Sequence, residues 1–451
     1  MKTFNHAELR ALLRISTPLA AAYLAEIAMA FTDMVIVGRL GSVELAAVGL
    51  ATSVFFELLL VAVGVVSIVG VLAAEAFGAN NEAGVSRVIR QGLWVALILS
   101  IPGTLIGWHL APILALTGQD MRVITFADYY LRAAAWSFLP YLCFMVLRNF
   151  VSALSRTSSV MVIAVAAIGV NLFFTYGLVF GRLGLPKLGV AGAGWATTVT
   201  VWLMLCAIVV YTAFSKHFQV YRLYRAGFRI ELPVCAQIFR LGLPVAGITA
   251  LEGGLFAALS IFMGVLGALW LAANAIVITV LAVGFVLALA VGEAIGIRIA
   301  QGVGAHDRLA VRRSTVTGLV LGLLVMAFMA SLMWTFPATL VSIFLDLDDP
   351  QTVDVLPLAV VLTGIAAVFQ VFDGLQAIAT RALRGIKDTI APLWIAAVGY
   401  WLLGALGGWV LCFPLKFGAL GLWWGLALGL TVTAVVLLWR LMFRTRIEAP
   451  A

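Results

Sequence analysis

Five carboxylates of this 451-residue chain fall inside long apolar runs: Glu26, Asp33, Glu57, Glu252 and Asp373. In hydrocarbon a charged carboxylate is disfavoured by at least ~2.5–3.5 kcal/mol on insertion scales, so each must face a partner, water or an ion. Desolvation also favours the protonated form of a carboxylic acid, which suits proton exchange near neutral pH. The chemistry available to such groups is therefore the binding of a cation or the carriage of a proton.

Asp373 has the most informative surroundings, Gln370-Val-Phe-Asp373-Gly-Leu-Gln376. A spacing of three puts both glutamines within about 60° of it on a helix, in one polar stripe. A carboxylate flanked by amides can hold a desolvated cation through oxygens, or a proton; a packing hydrogen bond between helices competes. Glu252 stands beside Gly253 and Gly254, which open space for water or substrate, and its bland alternative is a satisfied carboxyl between helices. Glu26 and Asp33 are seven apart, on nearly the same helix face, where two carboxylates disfavour ionising together. Asp33 lies near the outer end of its run and also fits an ordinary hydrated position. Glu57 has no partner nearby in sequence and fits a structural role as well as a functional one. Asn171 and Thr175 share a helix face at i, i+4, and Thr197 and Thr198 lie in the next run. Their oxygens suit a monovalent cation or a network, although such groups in membranes usually bond between helices.

The elements that must position these residues are membrane spans. Hydrophobic residues make up 64% of the chain and charged ones 11%, too little charge to cover a soluble surface. Apolar runs predict twelve spans, at 15–38, 46–73, 89–115, 127–153, 159–180, 190–214, 238–263, 271–299, 314–339, 354–380, 390–412 and 418–441. With a cytoplasmic N-terminus, 22 of the 28 Lys and Arg fall on the inside, leaving Arg39, Arg122, Arg132, Arg182, Lys187 and Lys416 outside. That asymmetry predicts that both termini are cytoplasmic, with the opening residues a short cytoplasmic leader into the first span. The net charge of +8 then reflects topology and contact with anionic membrane lipids; nucleic acid is not an expected partner. The outer turn Asp346-Leu-Asp348-Asp349 is expected to be a solvated acidic turn. Four isolated cysteines and four scattered histidines offer no redox pair or zinc site. No triad or paired-acid constellation predicts an enzyme, and no phosphate-binding loop predicts ATP use. The energy for transport would come from an ion gradient, with no cofactor beyond the coupling ion.

A shift of 226 residues overlays the chain on itself. Arg14-Ile-Ser-Thr-Pro18 meets Arg240-Leu-Gly-Leu-Pro244, Glu26 meets Glu252, and Gly78-Ala79 meets Gly304-Ala305. Later the shift is 229: Ala153-Leu154 meets Ala382-Leu383 and Trp195 meets Trp424. The predicted fold is thus an all-α polytopic membrane protein with 12 transmembrane helices in two six-helix parallel repeats. The expected domains are 1–214, a cytoplasmic linker at 215–237, and 238–451.

With these residues in hand, the chain resembles the multidrug and toxic compound extrusion (MATE) family, on its bacterial NorM-like branch. The matching stretches include Thr32-Asp33-Met-Val-Ile-Val-Gly38-Arg39-Leu-Gly41, Leu188-Gly189-Val-Ala-Gly192-Ala-Gly-Trp195-Ala-Thr197, Leu241-Gly242-Leu-Pro244, and Asp373-Gly-Leu-Gln376 through Leu383-Arg384-Gly385. The resemblance covers essentially the whole chain. It implies V-shaped MATE-like lobes that open alternately and export organic cations against Na+ or H+, in a bacterial inner membrane and as a monomer. Carried over position by position, Asp33, Glu252 and Asp373 match the family's aspartate of span 1, glutamate of span 7 and aspartate of span 10. The latter two are the expected coupling pair and Na+ site. Asn171 matches the asparagine of span 5, whereas Thr175 stands where another branch has an aspartate, which shifts the expectation toward the C-terminal lobe. Na+ and H+ both remain open. A rival is a lipid-linked oligosaccharide flippase of the same wider superfamily, which needs basic residues in its cavity. Basic residues here crowd the inner span ends, with Arg298 the single candidate lying deeper.

Overall fold

The computed structural model describes residues 5–115, 120–224, 227, 229–345 and 354–447; the acidic turn at Asp346–Asp349 lies outside them. Hydrocarbon offers no partner to a backbone N–H or C=O, so a spanning chain must bond internally. The described residues accordingly form helices and contain no strand. Twelve of these helices are long and apolar enough to cross a membrane. They are α1 (His6–Gly38), α2 (Ser42–Gly78), α3 (Glu82–Trp108), α4 (Met121–Ala153), α5 (Ser158–Phe180), α6 (Val190–Phe214), α7 (Leu232–Leu266), α8 (Ala268–Gly304), α9 (Arg308–Thr335), α10 (Val355–Gly385), α11 (Ile390–Cys412) and α12 (Gly418–Thr445). Each contains one of the twelve predicted spans or most of it. Several begin a turn or more before the apolar run does, because their polar first turns are helical too.

The repeat is visible in the local geometry. Asn81 caps α3 by accepting from the Gly84 N–H at 2.8 Å. Asp307, 226 positions later, caps α9 by accepting from the Ala310 N–H at 2.9 Å. The residue before each cap, Asn80 or His306, takes the same left-handed turn, with φ of 55° and 54°. Asn tolerates that conformation well; His adopts it here because the turn and the cap after it are set by the repeat.

By contact the chain divides into two compact units, Thr17–Ala246 and Met1–Ser16 with Gly247–Ala451. Both dividing points fall inside helices, α1 close to Pro18 and α7 close to Pro244. The opening turns of these helices are fixed by polar contacts. In the second unit Arg298 grips the Glu8 carboxylate through two hydrogen bonds of 2.9 and 2.8 Å, and the Ser314 hydroxyl donates to it at 2.7 Å. In the first unit Gln91 accepts from the Glu231 N–H and donates to the Arg229 carbonyl, both at 2.9 Å. Arg298, expected to lie deep in a span, is 26% exposed in its side chain and committed to Glu8. Of the cysteines, Cys235 and Cys412 are buried core residues while Cys206 is exposed on α6.

Two helices depart from regular α geometry. A 3₁₀ turn at Ala135–Ser137 interrupts α4, and residues Ala397–Leu406 of α11 form a π-helix. Wide π turns occur mostly as short insertions at functional positions. Glycines let α12 close on this widened segment: a Cβ on Gly425 would collide with the Gly408 backbone, and one on Gly429 would lie 2.7 Å from the Gly404 Cα. Small residues of this kind permit close helix approach in membranes. Gly425→Val is expected to force α11 and α12 apart. It should cost about 1–3 kcal/mol, read as a lower midpoint of thermal unfolding in detergent, and an unchanged midpoint would contradict the packing described.

Candidate functional site

In the second unit, α10 carries the polar stripe read from the sequence. Gln370, Asp373 and Gln376 are all buried, at 0%, 3% and 1% exposure. The Tyr400 hydroxyl, brought in by the π-helical turn of α11, donates to Gln376 Oε1 at 2.6 Å. Gln376 in turn hydrogen-bonds Asp373. With its oxygen taken by Tyr400, Gln376 serves the carboxylate through its N–H. Asp373 Oδ1 has no hydrogen-bond partner among the described residues, and neither does either end of the Gln370 amide. Glu252 on α7 lies within electrostatic reach of Asp373. The indole N–H of Trp401 donates to the Leu251 carbonyl beside Glu252 at 3.2 Å, and Gly254 packs against the same ring. Two acids thus come together on the polar stripe of α10, beside an amide whose oxygen and nitrogen both lack partners among the described residues. Such groups are unfavourable unless something else satisfies them, and what satisfies two acids and oxygen acceptors is a cation or a proton.

In the first unit, Asp33 on α1 is half-buried and accepts three hydrogen bonds. The Thr175 hydroxyl of α5 donates at 2.7 Å, the Thr197 hydroxyl of α6 at 3.3 Å and the Asn171 amide at 3.5 Å. Tyr130 of α4 is hydrogen-bonded to Thr197 and to Thr52 of α2. Asp33 is therefore enclosed by hydroxyl donors from two further helices and does not stand in an open hydrated position. Thr175, the departure from the other branch's pattern, supplies the shortest of its bonds.

Glu26 takes a different course. Its Oε1 is ion-paired to Arg148 of α4 at 3.3 Å, and the Tyr141 hydroxyl approaches Oε2 at 3.5 Å. Arg148 also donates to the Tyr23 hydroxyl at 2.9 Å and lies over that ring, 4.7 Å from its centre. Glu26 and Asp33, expected as an interacting carboxylate pair, each have their own partners. Arg148, Tyr23 and Tyr141 are residues beside Glu26 that the sequence does not single out. Arg148 falls within the predicted span 127–153, so the lack of deeply placed basic residues other than Arg298 does not hold: Arg148 and Arg384 are buried, at 3% and 6% exposure. Each faces an acid, Arg384 contacting Glu293 at 2.5 Å. Glu57 on α2 is half-buried, and its Oε1 has no partner among the described residues; the structure joins it to neither cluster.

Comparison with known proteins places this architecture. The MatE family model matches residues 18–177 and 244–410, two stretches that begin 226 residues apart, the offset of the internal repeat. The chain belongs to the MATE family. "Probable multidrug resistance protein NorM" of Mesorhizobium japonicum is 37% identical over 98% of this chain and 95% of its own length. "Multidrug resistance protein NorM" of Burkholderia vietnamiensis is 37% identical over 96% of this chain and 93% of its own. Among solved structures, the eukaryotic MATE transporter AtDTX14 is 21% identical and superposes with a TM-score of 0.88 over 98% of this chain and 99% of that one. The MATE fold of twelve helices is thereby established, and the roles of individual residues must come from their geometry.

The three donors at Asp33 make a direct prediction. Thr175→Val removes the shortest, charge-assisted bond and should cost about 1.5–3 kcal/mol, seen as a lower unfolding midpoint in detergent. Thr175→Ser, which keeps the hydroxyl, should stay near wild type; equal loss in both variants would show that the methyl group matters and the bond does not.

Proposed function

We propose that this MATE protein is a secondary multidrug exporter. It moves organic cations out of the cell in exchange for Na+ or H+ by alternating access, and the Glu252–Asp373 cluster is where the exchange takes place. One observation carries this assignment: Asp373 Oδ1 and the Gln370 amide are buried without partners among the described residues, beside a second acid. The names of the NorM relatives support a multidrug cargo. In this scheme a coupling ion entering from outside neutralises the carboxylates and lowers their affinity for the organic cation, which leaves outward. Only a difference in affinity between the two facing states can drive such a cycle. Asp33, held by Thr175, Thr197 and Asn171, is the second candidate for ion coupling. The basic asymmetry of the loops supports placing both termini inside, the bacterial NorM relatives support an inner membrane location, and no partner chain is needed for a site contained within one unit.

The flippase alternative requires cationic side chains available to an anionic headgroup. The buried Arg148 and Arg384 are each held by a glutamate, which disfavours it.

The test is ethidium transport into or out of proteoliposomes under an imposed Na+ gradient or an imposed pH gradient. One of the two gradients should drive wild-type transport. Asp373→Asn and Glu252→Gln should each lower the driven rate by about tenfold or more, a loss of ~1.4 kcal/mol or more. Folded wild-type protein that moves ethidium under neither gradient contradicts the antiport scheme and turns attention to lipid-linked substrates.

A further inference from the structure

The two halves of this chain contain the same acid-bearing place twice, filled differently. Glu26 and Glu252 are repeat mates at the 226-residue offset, as are Tyr23 and Thr249. Across α4 and α10 the turns that end the helices set the register: their left-handed residues are Ser155 and Lys387, 232 apart, with φ of 58° and 63°, so Tyr141 corresponds to Asp373, Phe144 to Gln376 and Arg148 to Thr380. Packing supports this correspondence. Asn149 of α4 donates to the Val66 carbonyl of α2 at 3.3 Å. A Cβ on Gly70 of α2 would lie 3.3 Å from the Asn149 Cβ, and one on its mate Gly296 of α8 would lie 2.8 Å from the carbonyl oxygen of Arg381 on α10, the mate of Asn149.

In the first half the place is closed by its own side chains. Arg148, with a side chain 4% exposed, pairs with Glu26, and its guanidinium is held by the ring and hydroxyl of Tyr23. In the second half Thr380 stands at the position of Arg148 and Thr249 at that of Tyr23. A second acid, Asp373, takes the place of the Tyr141 phenol, and the Gln370 amide and Asp373 Oδ1 are left without partners among the described residues. One copy thus carries a covalently attached cation where the other carries unmet oxygens.

We infer that Arg148 is a built-in counter-cation that occupies the first half's copy of the coupling site, so that Glu26 exchanges no ion during transport. Arg148 is thereby a positioning and specificity-determining residue: it limits exchange at this pair of repeat-related places to the second half. This rests on the antiport scheme above and goes beyond it by assigning what sets the number of coupling ions. A guanidinium suits the task, because it stays charged at any physiological pH and binds through several fixed donors. The neutral Glu26–Arg148 pair adds no charge for a mobile ion to answer.

The experiment is a measurement of ions moved per ethidium. In proteoliposomes holding a fixed ethidium gradient, the opposing gradient of the coupling ion that gives zero net flux reports the ratio. Glu26→Gln/Arg148→Met removes both charges together and should transport with the wild-type ratio. Arg148→Met alone releases Glu26 and should raise the ratio by one ion, while Arg148→Lys should leave it unchanged. A folded double variant that loses coupling or changes its ratio shows that Glu26 takes part in exchange and overturns the assignment. So does an active Arg148→Met variant with an unaltered ratio. If Arg148→Met fails to fold, the double variant decides alone. Wild-type protein without any gradient-driven flux is a separate result, which sinks antiport and this assignment with it.

Discussion

Desolvation of carboxylates in a membrane interior is the constraint that shapes the polar interior of this chain. Each acid inside a span must be matched by something, because hydrocarbon solvates it so poorly. The chain uses three kinds of match. Asp33 receives hydroxyl and amide donors from α5 and α6. Glu26 receives a guanidinium. Asp373 receives one amide from Gln376 and is left with an oxygen unmet among the described residues, near Glu252. The last arrangement leaves a demand that a mobile ion can satisfy, and it is the one on which the proposed transport cycle turns.

Supporting elements answer that demand. The π-helical turn of α11 brings Tyr400 to Gln376 and Trp401 to the Leu251 carbonyl. Gly425 and Gly429 of α12 allow the widened turn to sit against its neighbour. Gly284 of α8 leaves the space that the Gln370 amide enters. The site is thus held from α8, α10, α11 and α12 of one compact unit, with α7 contributing Glu252. A unit organised in this way keeps its carboxylates in register, as the proposed exchange requires.

Much of this is legible in the sequence, for identifiable reasons. Apolar runs locate spans because a helix must bury about 20 residues in hydrocarbon, so α5, α6 and α11 match prediction within a residue. The first turns of α1 and α3 escape it because hydropathy ends where polar residues begin, although helix continues through Glu8 and Glu82. The stripe Gln370–Asp373–Gln376 is readable because helical spacing is local. Arg148 is not: it lies near the end of an apolar run and resembles a topology-setting charge, and its partner Glu26 is more than a hundred residues away. The bond from Tyr400 to Gln376 is likewise hidden, because a π-helical turn changes which residues share a face and leaves no mark on hydropathy. The repeat holds more than a count of spans: once the helix ends fix the register of α4 on α10, aligning the two copies exposes the exchanges of Tyr141 for Asp373 and of Arg148 for Thr380.

The central claim is that a transported cation and a coupling ion compete for the carboxylates of the second unit. It is tested most directly by equilibrium binding of tetraphenylphosphonium to the purified protein across a series of Na+ concentrations and pH values. The account predicts that affinity for the organic cation falls as one of the two ions is raised, and that this competition disappears in Asp373→Asn. Affinity that ignores both ions, or competition that survives intact in Asp373→Asn, would contradict it.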